Sequence, residues 1–317
     1  MREDVGLNIG NAIASVLRTF IGANEPLDFR RMHRVIAAAD FGGELAALSP
    51  STASGNPITH TNEDYAVAVA KVLLLPRGEG IEILPVFNAY ALIPLTKDPK
   101  SEEFRQILHL MHHELCHVHD DNKKLDAFPN VWLRHYYTGK DTYIRPLAEV
   151  CWSEYAANRM SSISAPDACV SAMTDSLAGA IQRTKSEVNR EILSYRFHRN
   201  LTGLLDTFQR HGEFLPKAAA YVLGYMDGLQ APLDKLAPDV AEQLCGSYFE
   251  ETWNAMRIAV EEMWRIYPSG WNDLSVYDHL AQALENYYAT MGLILSTTED
   301  GLAYVNVPLR PETTPGV

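Results

Sequence analysis

The sequence lacks the features of a membrane, secreted or nucleic-acid-binding protein. It contains no uninterrupted apolar run of the roughly 20 residues that a membrane-spanning helix needs. The acids Glu3 and Asp4 and the base Arg18 interrupt the N-terminal segment, so a secretory signal peptide is not expected. Positive charge is scarce, because 27 lysines and arginines stand against 40 acids, a net charge of −13. Nucleic-acid binders attract phosphates through basic surfaces, so we expect neither a membrane nor a nucleic-acid partner.

Cysteine is also scarce, and its four positions show neither CxxC nor disulfide-framework spacing. This pattern predicts small buried apolar side chains with reduced thiols, and therefore a cytoplasmic protein. A content of 47% hydrophobic and 21% charged residues is typical of globular proteins. The length of 317 residues allows one large domain or two modest ones. The sequence does not indicate an oligomeric state. The cysteines are Cys116, Cys151, Cys169 and Cys245.

The first hundred residues combine helix and strand patterns. Residues 10–48 have apolar residues at helical spacing, broken near residues 24–26, and lead into a segment rich in Ser, Gly and Pro. They predict two helices and then a loop. Beyond Tyr65, the runs YAVAVAKVLLLP and IEILPVFNAYALIPL flank a turn at residues 77–80 and predict a hairpin, although the alanines of the first run also allow a helix. Pro85 and Pro94 in the second run indicate an edge strand or a bulge.

The remainder of the chain has mainly helical patterns. Ser101, followed by two glutamates, has the signature of an N-cap and predicts a helix to about His119. After a loop over residues 122–142, a second helix is predicted from Pro146 to about Ser161. Almost everything from residue 166 to about Leu295 has helical spacing, interrupted near residues 212, 232, 238 and 268–270 and followed by a short extended piece. We therefore predict an α+β domain over residues 1–165 and a mostly helical region over residues 166–317.

Five of the 11 histidines lie within HLMHHELCHVHDD, residues 109–121. This stretch contains the HExxH motif His113-Glu114-Leu115-Cys116-His117. On a helix, positions i and i+4 differ by about 40° in direction and about 6 Å along the axis, so both imidazoles can reach one metal ion. Glu114 is then placed to take a proton from a metal-activated water. The motif predicts a zinc site with His113 and His117 as ligands and Glu114 as the general base.

A catalytic zinc needs a third protein ligand, and two downstream glutamates are candidates. Glu149 and Glu154 lie in LAEVCWSEYAANRM, about 140° apart on one helix, so they cannot both face the ion. The metzincin pattern HExxHxxGxxH is excluded, because Asp120 occupies the glycine position and Lys123 the third histidine position.

HHELCH followed by SEYAANRM resembles the gluzincin arrangement, in which a glutamate on a second helix completes the zinc site. The pattern EYxANRxxxxxxP is similar to that of the IrrE/ImmA family of bacterial and phage metallopeptidases, over residues 65–166 at most. The resemblance implies a zincin-like catalytic domain and places the third ligand at Glu154. Gluzincins commonly carry an aspartate at the position of Asn158, where it orients a zinc histidine. The asparagine removes a charge from that position.

The other polar residues of the segment have simpler interpretations. We expect His109 to lie behind the ligands or at the surface, His112 to lie at the surface or to make a capping contact, and His119 with the two following aspartates to form a solvated helix end. The stretch 87–90, Phe-Asn-Ala-Tyr, is similar to the edge strand with which thermolysin-like enzymes bind substrate, which implies β-augmentation there. The alternative interpretation is an ordinary strand with one polar residue. A residue that stabilises an oxyanion cannot be chosen from the sequence. The candidates are Tyr137, Tyr155, His135 and His198.

These observations predict a zinc-dependent metallopeptidase that acts on a peptide or protein substrate. Three alternatives stay open. The same residues could hydrolyse a non-peptide amide or ester. The chain could also be a regulatory or protein-binding zincin-like protein with a structural or silent zinc. In the third alternative, the chain is a helical interaction module that binds no metal.

Overall fold

The computed structural model describes residues 3–22, 27–52, 62–63, 66–67, 69–129 and 131–314. In this part of the chain the fold is mostly helical with small sheets, which confirms the α+β class. Within the same residues, no helix has both the length and the apolar character needed to cross a membrane. The helices are α1 (Glu3–Ile21), α2 (Phe41–Leu48), α3 (Glu102–Ala127), α4 (Asp141–Ser161), α5 (Asp167–His198), α6 (Leu201–Thr207), α7 (Phe214–Leu229), α8 (Leu233–Leu236), α9 (Pro238–Leu244), α10 (Glu250–Ile266) and α11 (Asp278–Thr290). The strands are β1 (Ile36–Ala38), β2 (Asn62–Glu63), β3 (Ala66–Val67), β4 (Ala70–Arg77), β5 (Gly80–Asn88), β6 (Ile294–Thr297) and β7 (Ala303–Asn306).

The chain divides into two compact units, and the first consists of Met1–Arg134 and Met160–Pro166. Its three-stranded sheet has the order β1-β5-β4, with β4 antiparallel and β1 parallel to β5. The predicted hairpin is therefore confirmed, and β4 is a strand rather than a helix. Arg77 pairs with Gly80 across the turn, where Gly78 has the positive φ of 59° that glycine adopts without strain.

Pro85 lies in the central strand, and the register of β5 with β4 is continuous there, so the prediction of an edge strand or a bulge was wrong. In β5 the N–H of Ile83 donates to the carbonyl of Arg31. Backbone N–H directions alternate along a strand, so the nitrogen of Pro85, two residues later, also faces the side of Arg31. The pairing of β1 with β5 begins only at Val86, so the missing N–H of the proline falls outside that ladder. Pro94 lies outside β5, which ends at Asn88, and belongs to a 3₁₀ turn.

Both faces of β5 are buried, which accounts for the continuous apolar run ILPVF. Leu84 and Val86 pack against α2 through Phe41 and Leu45. Phe87 points to the other face, where it belongs to a cluster with residues of α1 and α3. The sheet thereby supports α3, the helix that carries the HExxH motif.

The predicted elements around the sheet were partly correct. The segment 10–48 contains two helices, but β1 lies between them, and this three-residue strand was not predicted. Of the loop predicted after residue 48, most lies outside the described residues. Ser101 caps α3 by accepting a hydrogen bond from the Phe104 N–H at 3.3 Å, but the helix continues to Ala127 instead of ending near His119. Helix α4 begins at Asp141, so Pro146 lies inside it.

The second unit consists of His135–Arg159 and Asp167–Val317. Helix α5 packs against α7 and α9, and α10 packs against α11 and α7. A group of aromatic rings surrounds the fully buried Trp152, whose ring centroid lies 4.8 Å from that of Trp271. The predicted breaks correspond to the π-helical turn Phe208–Gly212 and to the segments around α8 and after α10. The extended piece predicted at the end is strand β7, paired with β6.

Two of the four cysteines have the predicted buried position, namely Cys116 and Cys151. Cys169 is half-buried, and Cys245 is exposed, so the prediction was wrong for Cys245. All four are free thiols.

Candidate metal centre

His113 and His117 lie one turn apart on α3 and direct their rings to the same place. Their Nε2 atoms are 3.0 Å apart, and the rings meet edge to face with centroids separated by 4.6 Å. This arrangement follows from the i, i+4 spacing, which places both side chains on one face of the helix. Both residues are half-buried.

Glu154 on α4 completes a group of three metal-ligating side chains. Each of His113, His117 and Glu154 offers one ligand atom, and these atoms lie within 4.8 Å of one another. Across the ranges that the structure describes, this is the one group of three or more His, Cys, Asp or Glu residues with such a geometry. The three residues predicted as metal ligands are therefore brought together.

The donor atoms of this group fit a tetrahedral divalent ion. Two nitrogens that each lie about 2.0–2.1 Å from a tetrahedral zinc are about 3.3 Å apart. The observed Nε2 separation of 3.0 Å is close to that value. Two imidazoles and one carboxylate form a donor set that suits zinc and leaves one position open.

Glu149, the other candidate ligand, is engaged elsewhere. Its Oε1 accepts a hydrogen bond from the hydroxyl of Tyr137. Burial and the neighbouring Glu149 together raise the pKa of that phenol above its ordinary value. The separation of about 140° between Glu149 and Glu154 on α4 directs the two carboxylates to different surroundings.

Asn158 lies one turn after Glu154 and is almost completely buried, with 1% of its surface exposed. Its side-chain amide donates a hydrogen bond to the backbone carbonyl of Glu154 at 3.1 Å. This contact lies within α4 and fixes the asparagine beside the helix turn that carries Glu154.

Two of the remaining histidines share one partner. The Nδ1 atoms of His109 and His112 lie 3.1 Å and 2.8 Å from Oγ of Ser164. That hydroxyl donates its proton to the Ser161 carbonyl at 2.9 Å, so both imidazoles meet its lone pairs and act as donors. His112 also stacks on Phe20, with centroids 4.2 Å apart, and is buried. Of the two positions predicted for His112, a surface position or a capping contact, the surface position was wrong.

Burial keeps these two histidines neutral. It is the main cause that lowers the pKa of His109 to about 3, and the charges of His113 and His112 add to the effect. Burial followed by the charge of His113 lowers the pKa of His112 to about 4. Both side chains are therefore structural hydrogen-bond donors at neutral pH.

The predicted solvated helix end after His117 was also wrong, because α3 continues and its side chains are buried. Nδ1 of His119 accepts the N–H of Asp28 at 2.8 Å. Asp120 is fully buried and pairs with Lys124 at 2.6 Å, and Asp121 lies 3.3 Å from the same ammonium. No sequence motif marks Lys124 as the partner, but its spacing of i+4 from Asp120 is a signal for such a pair.

The strand segment predicted to bind substrate has both of its edges occupied. The N–H of Asn88 donates to the Val69 carbonyl at 2.8 Å, and the N–H of Ala89 donates to the Ala38 carbonyl at 2.9 Å. Since β5 is the central strand, an extended peptide cannot pair with it at this position. The β-augmentation that the resemblance implied at residues 87–90 is therefore wrong, and the alternative of an ordinary strand is the correct one.

The side chains considered as oxyanion stabilisers have other contacts. The Tyr155 hydroxyl donates to Asp227 at 2.5 Å and accepts a hydrogen bond from Arg159. His198 lies exposed at the end of α5, and its Nδ1 accepts the N–H of Asn200 at 3.0 Å. His135 packs edge to face against Tyr137.

The chain matches no model of a known protein family, no curated protein and no solved structure. The resemblance to gluzincins therefore depends on the residues of this chain, namely the HExxH motif and Glu154. The geometry provides three ligand atoms and a carboxylate, Glu114, directly after the first ligand. This combination has the parts that metal-assisted hydrolysis requires.

Proposed function

We propose that the chain is a zinc-dependent metallopeptidase whose α3, α4 and small sheet form a zincin-like catalytic core. His113, His117 and Glu154 would hold Zn²⁺. The observation that supports this proposal is the convergence of the three ligand atoms within 4.8 Å of one another. A peptide or protein is the proposed substrate.

The chemistry divides between the ion and Glu114. A zinc ion bound there supplies Lewis acidity, which polarises a carbonyl oxygen and lowers the pKa of water. Glu114 follows the first ligand and is half-buried on the same helix, about 60° around the axis from His117. Its carboxylate takes the proton from the attacking water and delivers it to the leaving nitrogen.

The metal site is tested by elemental analysis of the purified wild type, Glu154→Ala and Glu149→Ala. We expect about one zinc per chain in the wild type and in Glu149→Ala, and a loss of zinc in Glu154→Ala, because only Glu154 belongs to the cluster. Glu149→Ala is the matched control, since it removes the same group from the same helix. A wild type that holds no zinc after the ion has been supplied would refute the metal centre.

The reaction is tested by incubating the zinc-loaded protein with a peptide library and identifying the products by mass spectrometry. We expect cleavage by the wild type, and none by Glu114→Gln, which should retain zinc because Glu114 is not a ligand. Cleavage by the Gln variant would remove Glu114 from the mechanism. Hydrolysis of small amides or esters without cleavage of any peptide would contradict the proposed peptidase activity and indicate a zinc hydrolase with a non-peptide substrate.

A further inference from the structure

Helix α7 packs closely against the helix that carries Glu154. A Cβ atom on Gly224 would lie 2.5 Å from the carbonyl oxygen of Tyr155 and 2.8 Å from the Cβ of Asn158. Such distances mean that only glycine fits, so α4 and α7 approach each other backbone to backbone at this point. The contact fixes which residues of the two helices are neighbours.

The two helices run in the same direction. Near their C-terminal ends, Arg159 of α4 binds Asp227 of α7, with Nη1 2.8 Å from Oδ2. Earlier on both helices, burial raises the pKa of the Cys151 thiol, and the nearby charges of Lys217 and Glu213 lower and raise this pKa, respectively. Residues that come earlier on α4 therefore lie beside residues that come earlier on α7, so the two helices are parallel.

This parallel packing sets Tyr221 level with Glu154. A Cβ on Gly224 would meet atoms of Tyr155, Asn158 and Arg159, and the midpoint of this span is residue 157. Both helices rise by about 1.5 Å per residue, so a step of three residues back along each reaches the same level again. That step leads from residue 157 to Glu154 and from Gly224 to Tyr221.

Tyr221 and Glu154 also lie on the same side of the contact. On α7, Asp227 and Tyr221 are three residues after and before Gly224, so they flank it on opposite sides, about 60° away. On α4, Tyr155 lies three residues and Glu154 four residues before Asn158, so they flank it on opposite sides, about 60° and about 40° away. The Tyr155 hydroxyl donates to Asp227, so these two share one side. Glu154 and Tyr221 therefore lie together on the opposite side of the contact between α4 and α7.

We infer that the Tyr221 hydroxyl lies beside the His113, His117 and Glu154 group and donates a hydrogen bond to the negatively charged oxygen of a ligand held there. The inference rests on the proposed metal centre. Tyr221 is half-buried, which suits a side chain at the wall of a site. In the proposed reaction this donor stabilises the oxyanion that forms when water attacks a carbonyl.

The test uses acetohydroxamate, a small anionic chelator, as the probe. The full-length protein is loaded with Co²⁺, whose visible absorption reports the ion, and is titrated with acetohydroxamate. We expect Tyr221→Phe to bind the probe roughly 10- to 100-fold more weakly than the wild type, because a hydrogen bond to a charged group is lost. Its Co²⁺ spectrum before titration and its melting temperature should be those of the wild type.

Two further variants make the result specific. Tyr225→Phe removes a hydroxyl from a buried tyrosine of the same helix, one residue beyond the Gly224 contact, and should bind the probe as the wild type does. Tyr221→His restores an N–H donor and should recover part of the affinity for acetohydroxamate. This variant replaces Tyr221→Phe as the test if the Phe variant does not fold.

The outcomes separate the two proposals. A Tyr221→Phe variant that takes up Co²⁺ and binds acetohydroxamate with wild-type affinity overturns the role of Tyr221 and leaves the metal centre in place. A variant that no longer takes up Co²⁺ also overturns it, since Tyr221 would then hold the ion rather than its ligand. A wild type that takes up no Co²⁺ overturns the metal centre and, with it, the inference.

Discussion

At the residue scale, α3 carries two kinds of polar side chain. His113 and His117 converge at their Nε2 atoms, whereas His109 and His112 direct their Nδ1 atoms to one serine hydroxyl. Further along, Asp120 and Lys124 form a buried pair. A buried charge is stable only with its partner, so these pairs are expected to be sensitive to the loss of one member.

Lys124→Met should destabilise the protein by about 3–5 kcal/mol, because it leaves the carboxylates of Asp120 and Asp121 buried without their cation. The methionine keeps the length of the side chain, so the effect measures the charge. The free energy of unfolding in urea is the readout. Lys97→Ala is the control, since Lys97 pairs with Glu103 at the surface and its loss should change little. Equal stability of wild type and Lys124→Met would contradict the prediction.

The burial of the Glu213 carboxyl should make the stability of the protein depend on pH. Burial raises its pKa above the ordinary 4.5, although a hydrogen bond from Tyr288 opposes the shift. A carboxyl whose pKa is raised by folding stabilises the native state below pH 4.5, and this contribution is lost as the pH rises through the folded pKa.

Relative to Glu213→Gln, the wild type should therefore lose stability as the pH increases from about 4.5, by up to about 1.4 kcal/mol per pH unit. Urea unfolding of both proteins across this range measures the difference. Parallel stability curves for the two proteins would show that Glu213 does not titrate differently in the native state.

At the scale of elements, the close approach of α4 and α7 places Glu154. Gly224 lies in the middle of α7, where glycine is unfavourable for a helix and a packing reason is expected. The reason is the contact with Tyr155 and Asn158.

Gly224→Ala should destabilise the protein by roughly 1–3 kcal/mol, because the new methyl group must displace the backbone of α4. It should also weaken zinc binding, since Glu154 lies on the displaced helix. Gly10→Ala is the matched control. Nothing lies within 4 Å of a Cβ at Gly10 in α1, so alanine there should stabilise the protein by roughly 0.5–1 kcal/mol. Thermal unfolding and zinc titration of both variants check these expectations, and equal effects at the two glycines would contradict them.

At the scale of the whole molecule, the sequence predicts the features that depend on neighbours along the chain. The cap at Ser101 and the turn at Gly78 were predicted because they depend on a few adjacent residues. The convergence of His113 and His117 was predicted because it depends only on helical spacing.

Features that depend on distant partners were missed. The sequence could not show that His112 is buried, because its partners Phe20 and Ser164 belong to other elements. The choice between Glu149 and Glu154 was open from their spacing alone, because only packing decides which side of α4 meets the histidines. Tyr221 carries no motif, and the inference that it lies near Glu154 depends only on the register of α4 and α7 at Gly224.

The metal ligands come from two helices that are far apart along the chain, so zinc binding is expected to stabilise the native state. At a free zinc concentration of 100 times Kd, the free energy of unfolding should rise by about 2.7 kcal/mol. The melting temperature of metal-free protein with and without added zinc measures the effect. His117→Ala should show no such increase, and an increase in that variant would place the ion elsewhere.

The contacts of the histidines on α3 also bear on how the protein behaves on a chromatography resin. Immobilised nickel captures clustered, exposed imidazoles. In the native chain His109 and His112 are buried against Ser164, and Nδ1 of His119 is occupied by the N–H of Asp28. Three of the five histidines in the segment most similar to a histidine tag are therefore closed to the resin, and urea should expose them. Stronger retention in urea than in buffer would make this helix an intrinsic reporter of unfolding.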